Sequence, residues 1–579
     1  MILLGTGRDG TRHLLRAQRP DEARALGGEL SLPPVLARLL ASRGVTDPAR
    51  ARALLLGGAA ALHDPFRMDG VAEAVDRLLG AARDGGPVLV VGDDDLDGVA
   101  GAALLAGTFA DAGLRVVTVF ERRRSGGPAA LDLRAEVLRE RASGVVTVDG
   151  AGAAPESVAS AKSAGAWVVL TDHHGTREAP PGALLVDPAR PGSLYPFRGL
   201  SGAGVAWKLA SALASQLGAE RRQAALERLE ASTALAALAT LSDLSPLVDE
   251  NRVLVARGLA ALSERPGAGL SALRAVAGLG GRRTVSARQA ACRLVPRLNA
   301  AARLGRPELA AALLSEPDPQ VAARLASEVE SMNSLRKSAR ERVLADVRGR
   351  LAARGANRRE PVVVESGSEA AGWLQGVLGS AALALSRELS APVLLLAERG
   401  DLLHGSGRSR AGADLRGRLE PVARALALAF GGHENAVGIV LPDAAFARFR
   451  EAARAAFANA PARGPDPPAL LADTEILASD LDASLAGRLE LLGPHGPGNP
   501  RPLFLLRGAV PLGRCRPPEP DRAALVLDVG GLSIRAGGPA AAELTRPRRA
   551  GARDILVHVG RGPEDGPPVL SVVGLREAA

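Results

Sequence analysis

From about residue 61, short apolar runs alternate with helix-length, alanine-rich spacers. The runs are Pro87–Val91, Leu114–Phe120, Gly144–Val148, Ala166–Leu170 and Leu184–Val186. Strands read this way when a parallel sheet is buried on both faces, so the pattern predicts a doubly wound α/β domain over 61–315. Its later part, about 201–315, reads as helical. Residues 316–355 repeat their apolar positions every three or four residues and predict one long amphipathic connecting helix. A second α/β pattern, 356–460, opens at Pro361–Val364 and includes Ala391–Leu396. Prolines punctuate 461–500. The runs LFLL, AALVLDV and DILVHV that follow predict a small β-barrel or sheet within 461–579. Residues 1–60 are arginine-rich and mostly helical in pattern, with Pro33-Pro34 opening one helix.

Composition narrows the class. The chain has 579 residues, 47% hydrophobic and 23% charged, which fits several globular domains and excludes wholesale disorder. The stretch Ala370–Ser386 is weakly polar, but Gln375, three glycines and two serines interrupt it, so it reads as a buried helix and not as a membrane span. The N-terminus shows no apolar core of signal-peptide length. Two cysteines, Cys292 and Cys515, supply neither a disulfide framework nor a thiolate metal site. A cytoplasmic protein is expected, with no membrane partner. The formal net charge of +9 suggests an anionic partner, nucleic acid first. An arginine-rich codon usage gives the same charge without any such partner, since Lys162, Lys208 and Lys337 are the only lysines.

The informative feature is where acids and imidazoles fall relative to the strands. The run Pro87–Val91 leads into Gly92-Asp93-Asp94-Asp95-Leu96-Asp97-Gly98. Gly144–Val148 leads into Asp149, and Ala166–Leu170 leads into Thr171-Asp172-His173-His174. In an open α/β sheet the crevice at the carboxyl ends of the strands is the binding edge. Four carboxylates within five residues repel one another, and bound cations relieve that repulsion. An acidic run taken alone is equally a solvated turn or a helix cap, and Asp149 alone is equally a cap. All three sets at the ends of strands of one sheet point to metal. Carboxylate oxygens with one or two imidazoles suit Mn²⁺ or Mg²⁺, and two ions about 3.5–4 Å apart hydrolyse phosphodiesters.

In this order, DxDxDG, the strand-terminal Asp149 and the Asp-His-His triplet resemble the first three motifs of the DHH phosphoesterase superfamily. Leu241-Ser242-Asp243-Leu244-Ser245-Pro246-Leu247 is similar to the fourth. Glu250-Asn251-Arg252, YPFRGLSGAGVAWKLA (195–210), PRLNAAARLG (296–305), HGSGRS (404–409), GGHENAVG (431–438) and GPHGPGNPRPLF (493–504) resemble the RecJ branch. The resemblance covers about Pro33 to Phe504. It implies a DHH catalytic domain, a DHHA1-like second domain and an OB-like C-terminal domain that binds nucleic acid. It implies that Asp95, Asp97, Asp149, His173 and Asp243 ligate two Mn²⁺ or Mg²⁺ ions, with Asp93 and His174 beside them as ligand or phosphate contact. Asn299, Arg303, Arg408, Ser409 and His433 match positions that hold the nucleic acid. Surface salt bridges are the ordinary alternative for the two arginines. Arg pairs bidentately with phosphate, and glycine-rich loops let backbone amides approach it.

The expected activity is a metal-dependent exonuclease of single-stranded DNA, 5′→3′, releasing 5′-mononucleotides in recombination and repair. Single-strand-binding protein and helicases are its expected partners. Two alternatives stand beside it: a phosphodiesterase for short oligonucleotides or cyclic dinucleotides, whose DHH relatives are usually shorter, and a catalytically weak DNA-binding scaffold. The chain departs from the family at Leu374 and Ala384, where the pattern has His and Arg, and at Ala302, where it has Gly. These departures fall on substrate-holding elements and bear on affinity, not on the metal chemistry. Aromatic residues make up 2% of the chain, so stacking on bases is thin and phosphate electrostatics must dominate binding.

Overall fold

The structure, a computed structural model, describes residues 1–6, 10–56, 61–121, 131–176, 178–355, 360–410, 413–458, 469–515, 525–544, 551–562 and 568–577. The chain divides into two compact units, His63–Pro465 and a second made of Met1–Leu62 with Asp466–Ala579. Among the described residues no helix is long and apolar enough to cross a membrane.

In the larger unit the expected runs form strands β1 (Val88–Asp93), β2 (Val116–Glu121), β3 (Gly144–Val148), β4 (Trp167–Thr171) and β5 (Ala183–Val186). They lie in the order β2-β1-β3-β4-β5, every pair parallel. All five carboxyl ends therefore share one edge. β1 and β3 are buried along their whole length, as their unbroken apolar sequence requires. Helix α1 (Leu96–Asp111) follows β1 directly. It packs against α2 (Gly202–Ser215) and α3 (Ala219–Asp243), and α3 packs against α4 (Asp249–Glu264).

A five-residue π-helical turn, Ala290–Leu294, leads into α5 (Val295–Arg303). The expected connecting helix is α6 (Pro319–Ala353), 35 residues and about 52 Å long at 1.5 Å per residue. Asp318 caps it by accepting from Gln320 N and Val321 N, and Pro319 supplies a residue preset for a first turn. α6 packs on α5, and its later turns (Ala339, Val343, Leu344, Val347) enter a core with Trp373, Val377 and Leu378.

That core belongs to the second α/β portion, with strands β6 (Val363–Ser368), β7 (Val393–Arg399), β8 (Leu402–Arg408), β9 (Ala429–His433) and β10 (Ala436–Pro442), and helix α7 (Gln375–Leu389). The sheet order is β9-β10-β8-β7-β6, parallel only between β6 and β7. The HGSGRS stretch, read above as a phosphate-cradling loop, is mostly strand β8, paired on both sides. Its amides are therefore committed to the sheet ladder and not aimed at a phosphate.

In the smaller unit, strands β11 (Phe504–Arg514), β12 (Leu525–Val529), β13 (Leu532–Gly537), β14 (Arg553–Gly560) and β15 (Val569–Glu577) run in the order β11-β12-β13-β15-β14. Pairing of β14 back onto β11 closes a five-stranded barrel, the architecture of an OB-fold. The N-terminal residues carry the expected helices, Pro20–Leu30, Pro34–Ser42 and Pro48–Leu56, but they belong to this unit and do not form a separate segment. Strands Ile2–Thr6 and Arg12–Leu15 pair with each other, and the second pairs with Ala469–Ala472. Leu36, Leu39 and Leu40 share one core with Phe504, Ile555 and Leu570. Asp473, 2% exposed, accepts from Arg43 Nη2 at 2.8 Å, from Arg16 Nε at 2.9 Å and from Leu503 N at 3.0 Å.

Candidate metal centre

Three groups of side chains at the carboxyl edge of the parallel sheet lie close enough to share ions. They are Asp93, Asp95 and Asp149; Asp149, His173 and His174; and Asp97, His173 and Asp243, each with ligand atoms within 4.8 Å of one another. Asp149 and His173 each belong to two groups. The structure thus brings together all seven residues expected there from sequence.

Backbone geometry aims each one. Asp95 ends the loop after β1 and caps α1, its Oδ1 accepting from Asp97 N at 2.9 Å and Gly98 N at 3.3 Å. Asp149 follows β3 in the left-handed region, φ 61°, which costs a non-glycine residue about 1–2 kcal/mol. The turn it opens is held at Gly152 N, which donates to Glu121 Oε2 at 2.8 Å. Glu121 ends β2 beside Asp93 in the sheet register. It was not singled out from sequence, although its place at the end of a strand carried the same signal as Asp149. Asp172 has a supporting role too. It accepts from His173 N at 2.8 Å, His174 Nδ1 at 2.7 Å and Thr176 Oγ1 at 2.8 Å, so it fixes the triplet's turn.

Asp97 sits at the N-terminus of α2, where Gly202 N and Ala203 N donate to its two oxygens at 2.7 and 2.8 Å. A Cβ on Gly202 would lie 2.9 Å from Asp149 Cβ and 3.2 Å from Asp97 Oδ2, so this approach demands glycine. Asp243 is the last residue of α3 and accepts from Ser245 Oγ at 2.5 Å.

The electrostatics show how strongly the carboxylates of the cluster oppose one another. Burial and the Asp149 charge push the Asp97 carboxyl up to about 7, against the pull of His173 and the Ala203 amide. His173 moves the other way. Burial opposes its charge, but the hydrogen bond to Asp149 at 3.1 Å and the fields of Asp97, Asp149 and Asp243 raise it to about 9. Asp172 behaves as an anchored anion: burial raises it, yet His174, Thr176 and the His173 amide hold it down at about 2. Oxygen donors with two imidazoles and no thiolate are a set that fits Mn²⁺ or Mg²⁺.

The residues expected at the nucleic acid divide. Arg303 ends α5, and a Cβ on Gly376 of α7 would lie 2.1 Å from its carbonyl oxygen, so glycine lets α7 close onto this end. Burial, and then the nearby charge of Arg303, lower both Arg408 and Arg336. These three guanidiniums form a positive cluster. Arg336, on α6, was legible from sequence only as one charge on an amphipathic helix. Arg408 and His433 flank Ala436 in the register of three adjacent strands, about 10 Å apart at the usual strand spacing. His433 is exposed, and Ser409 is buried with its amide donating to Asn435 O at 3.1 Å. Asn299 lies on α5 one turn before Arg303. Its amide is engaged inside the protein, with Oδ1 accepting from Leu96 N and Nδ2 donating to Ser242 Oγ.

The DHH family, N-terminal domain model matches residues 87–240, and the DHHA1 domain model matches 360–459. The chain is 32% identical over 492 residues to the single-stranded-DNA-specific exonuclease RecJ of Dickeya dadantii, covering 82% of this chain and 83% of that one. The chain belongs to the RecJ family. A RecJ of Bacillus subtilis is 31% identical over 499 residues, 85% of this chain, which spans only 61% of that relative's length. The crystal structure of RecJ from Thermus thermophilus in complex with Mn²⁺ superposes with a TM-score of 0.77 at 28% identity, covering 99% of this chain and 80% of that one. Its Mg²⁺ complex gives 0.72. Leu374 and Ala384, the two departures noted in the sequence, pack against the apolar core of the second α/β portion.

Proposed function

We propose that this chain is a metal-dependent exonuclease of single-stranded DNA, working 5′→3′ and releasing 5′-mononucleotides. The observation that carries the reading is the sharing of Asp149 and His173 between overlapping groups, which offers adjacent positions to two cations. Asp93, Asp95, Asp97, Asp149, His173, His174 and Asp243 would hold two Mn²⁺ or Mg²⁺ ions. When bound, such ions supply water activation and neutralise charge on the phosphate.

The chain's own residues do the rest. The Gly202 and Ala203 amides and the Asp172 carboxylate keep Asp97 and His174 fixed in direction, so little reorganisation accompanies the reaction. Arg303, Arg336 and Arg408 offer charge to the strand's phosphates. We assign 61–315 to the catalytic DHH domain, 316–355 to the connecting helix, 356–460 to the DHHA1-like domain and the C-terminal barrel to strand binding. The relatives named above are single-stranded-DNA-specific exonucleases, and RecJ of T. thermophilus is seen with Mn²⁺ and with Mg²⁺. Both facts support this reading. The setting is the cytoplasm during DNA recombination and repair, with single-strand-binding protein and helicases presenting the strand.

The test offers the purified chain, with Mn²⁺, an end-labelled single strand and a cyclic dinucleotide in parallel. Turnover of the strand alone, abolished by EDTA, is expected. Preference for the dinucleotide would overturn the proposal.

A further inference from the structure

We infer that Asn299 is a positioning residue of the metal centre and not a strand contact. The inference rests on the metal-dependent reading given above. The Asn299 side chain joins two segments that each deliver a carboxylate. Its Oδ1 accepts from Leu96 N at 3.1 Å, and Leu96 lies between Asp95 and Asp97. Its Nδ2 donates to Ser242 Oγ at 2.8 Å, and Ser242 directly precedes Asp243. The two segments are about 145 residues apart in sequence and enter the centre from different elements, the start of α1 and the end of α3. One amide fixes the distance between them.

The way α5 is built supports this. Ser286 and Gln289 form a capping box that sets the start of the helical stretch. The π-helical turn Ala290–Leu294 then inserts one residue, which rotates every later side chain by about 100° around the axis. That rotation presents Asn299 to the two segments. Arg303 stands four residues on, one turn along the same face, next to the charge of Arg408. The helix therefore carries a strut for the metal centre at one turn and a phosphate-directed arginine at the next. Side chains that orient metal ligands typically contribute 10–100-fold to metal affinity.

Two readouts separate a strut from a strand contact. Mn²⁺ affinity of the full chain is measured by calorimetry after stripping with chelator. Affinity for a fluorescein-labelled oligo(dT) is measured by anisotropy in EDTA. Asn299→Ala should weaken Mn²⁺ binding by about tenfold or more and leave metal-free strand affinity within about twofold. Ser242→Ala, which cuts one end of the strut, should weaken Mn²⁺ severalfold. Asn299→Asp keeps an acceptor for Leu96 N and offers a second to the Ser242 hydroxyl, so it should bring Mn²⁺ affinity back to within about threefold of the parent chain. Mn²⁺ affinity unchanged in both Asn299→Ala and Ser242→Ala would overturn the inference. So would a fivefold or greater loss of metal-free strand binding in Asn299→Ala, which would mark a direct contact. If the parent chain itself takes up no Mn²⁺, the metal reading falls and the inference with it; uptake by the parent with no change in the variants removes the inference alone.

Discussion

The Asp149 carboxylate lies 3.1 Å from His173 Nε2, and Asp149 reaches it from a left-handed backbone position directly after β3. Strain of that kind persists where surrounding structure over-determines it. Here the Glu121 bond to Gly152 N closes the turn on one side and the α2 N-terminus packs against Asp149 on the other.

Asp149→Asn should abolish hydrolysis, by about a hundredfold or more, because it removes the charge shared by two groups of ligands. Asn tolerates the left-handed backbone, so the fold should remain. Strand affinity in EDTA should match the parent chain, since the arginine cluster is untouched. Near-normal turnover would sink the assignment.

Stability without metal should fall as pH rises. Asp97 is raised to about 7 from an ordinary 3.8, so its contribution is complete below 3.8 and lost as pH climbs through 7. His173 is raised to about 9 from 6.5, so its contribution is lost between those values. The Asp97 loss runs up to about 7 and the His173 loss from 6.5 to about 9, so the two follow in sequence and stability falls continuously up to about 9. Mn²⁺ replaces the protons, so the increase in melting temperature on adding Mn²⁺ should grow across that range. Melting curves with Mn²⁺ and with EDTA at stepped pH check this; a metal effect that shrinks toward pH 9 would contradict it.

Binding of single strands should weaken steeply with salt. Arg408→Ala removes one cation from the cluster with Arg303, and the slope of log affinity against log salt should become shallower by about 0.7. A slope equal to that of the parent chain would show that Arg408 contacts no phosphate.

The smaller unit has its own keystone. Asp473→Ala leaves Arg43, whose side chain is 14% exposed, without its carboxylate and removes the acceptor of Leu503 N. Breaking a buried pair on one side costs about 3 kcal/mol or more. Hydrogen exchange should quicken in Phe504–Arg514 and stay unchanged in Val88–Asp93. Equal quickening in both would mean the defect is global.

The parallel sheet was legible because its central strands are buried on both faces: each strand announced itself as an apolar run, and every run lies within two residues of a strand. Six of the seven candidate ligands were legible because they follow those strands; Asp243 ends α3 and was reached only through the resemblance. The N-terminal strands were not, since Arg12–Leu15 is stabilised by Ala469–Ala472, more than 450 residues away, and four residues carry no period of their own. The barrel showed three of its five strands. Leu532–Gly537 alternates exposed and buried positions too briefly to stand out. Asn299 was visible as part of a motif, but its bonds to Leu96 N and Ser242 Oγ were not, because a motif does not say which way an amide points.

The most direct test of the central claim is digestion by the purified chain with Mn²⁺ of matched single-stranded, blunt-duplex and 5′-tailed substrates labelled at each end in turn. A duplex is stiff over about 150 base pairs and cannot feed one backbone to a recessed centre, whereas a flexible strand can. The predicted result is early release of 5′-labelled mononucleotides from the single strand and the tailed substrate, little from the blunt duplex and none in EDTA. Equal rates on blunt duplex, cuts within a circular single strand, or hydrolysis that survives EDTA would contradict it.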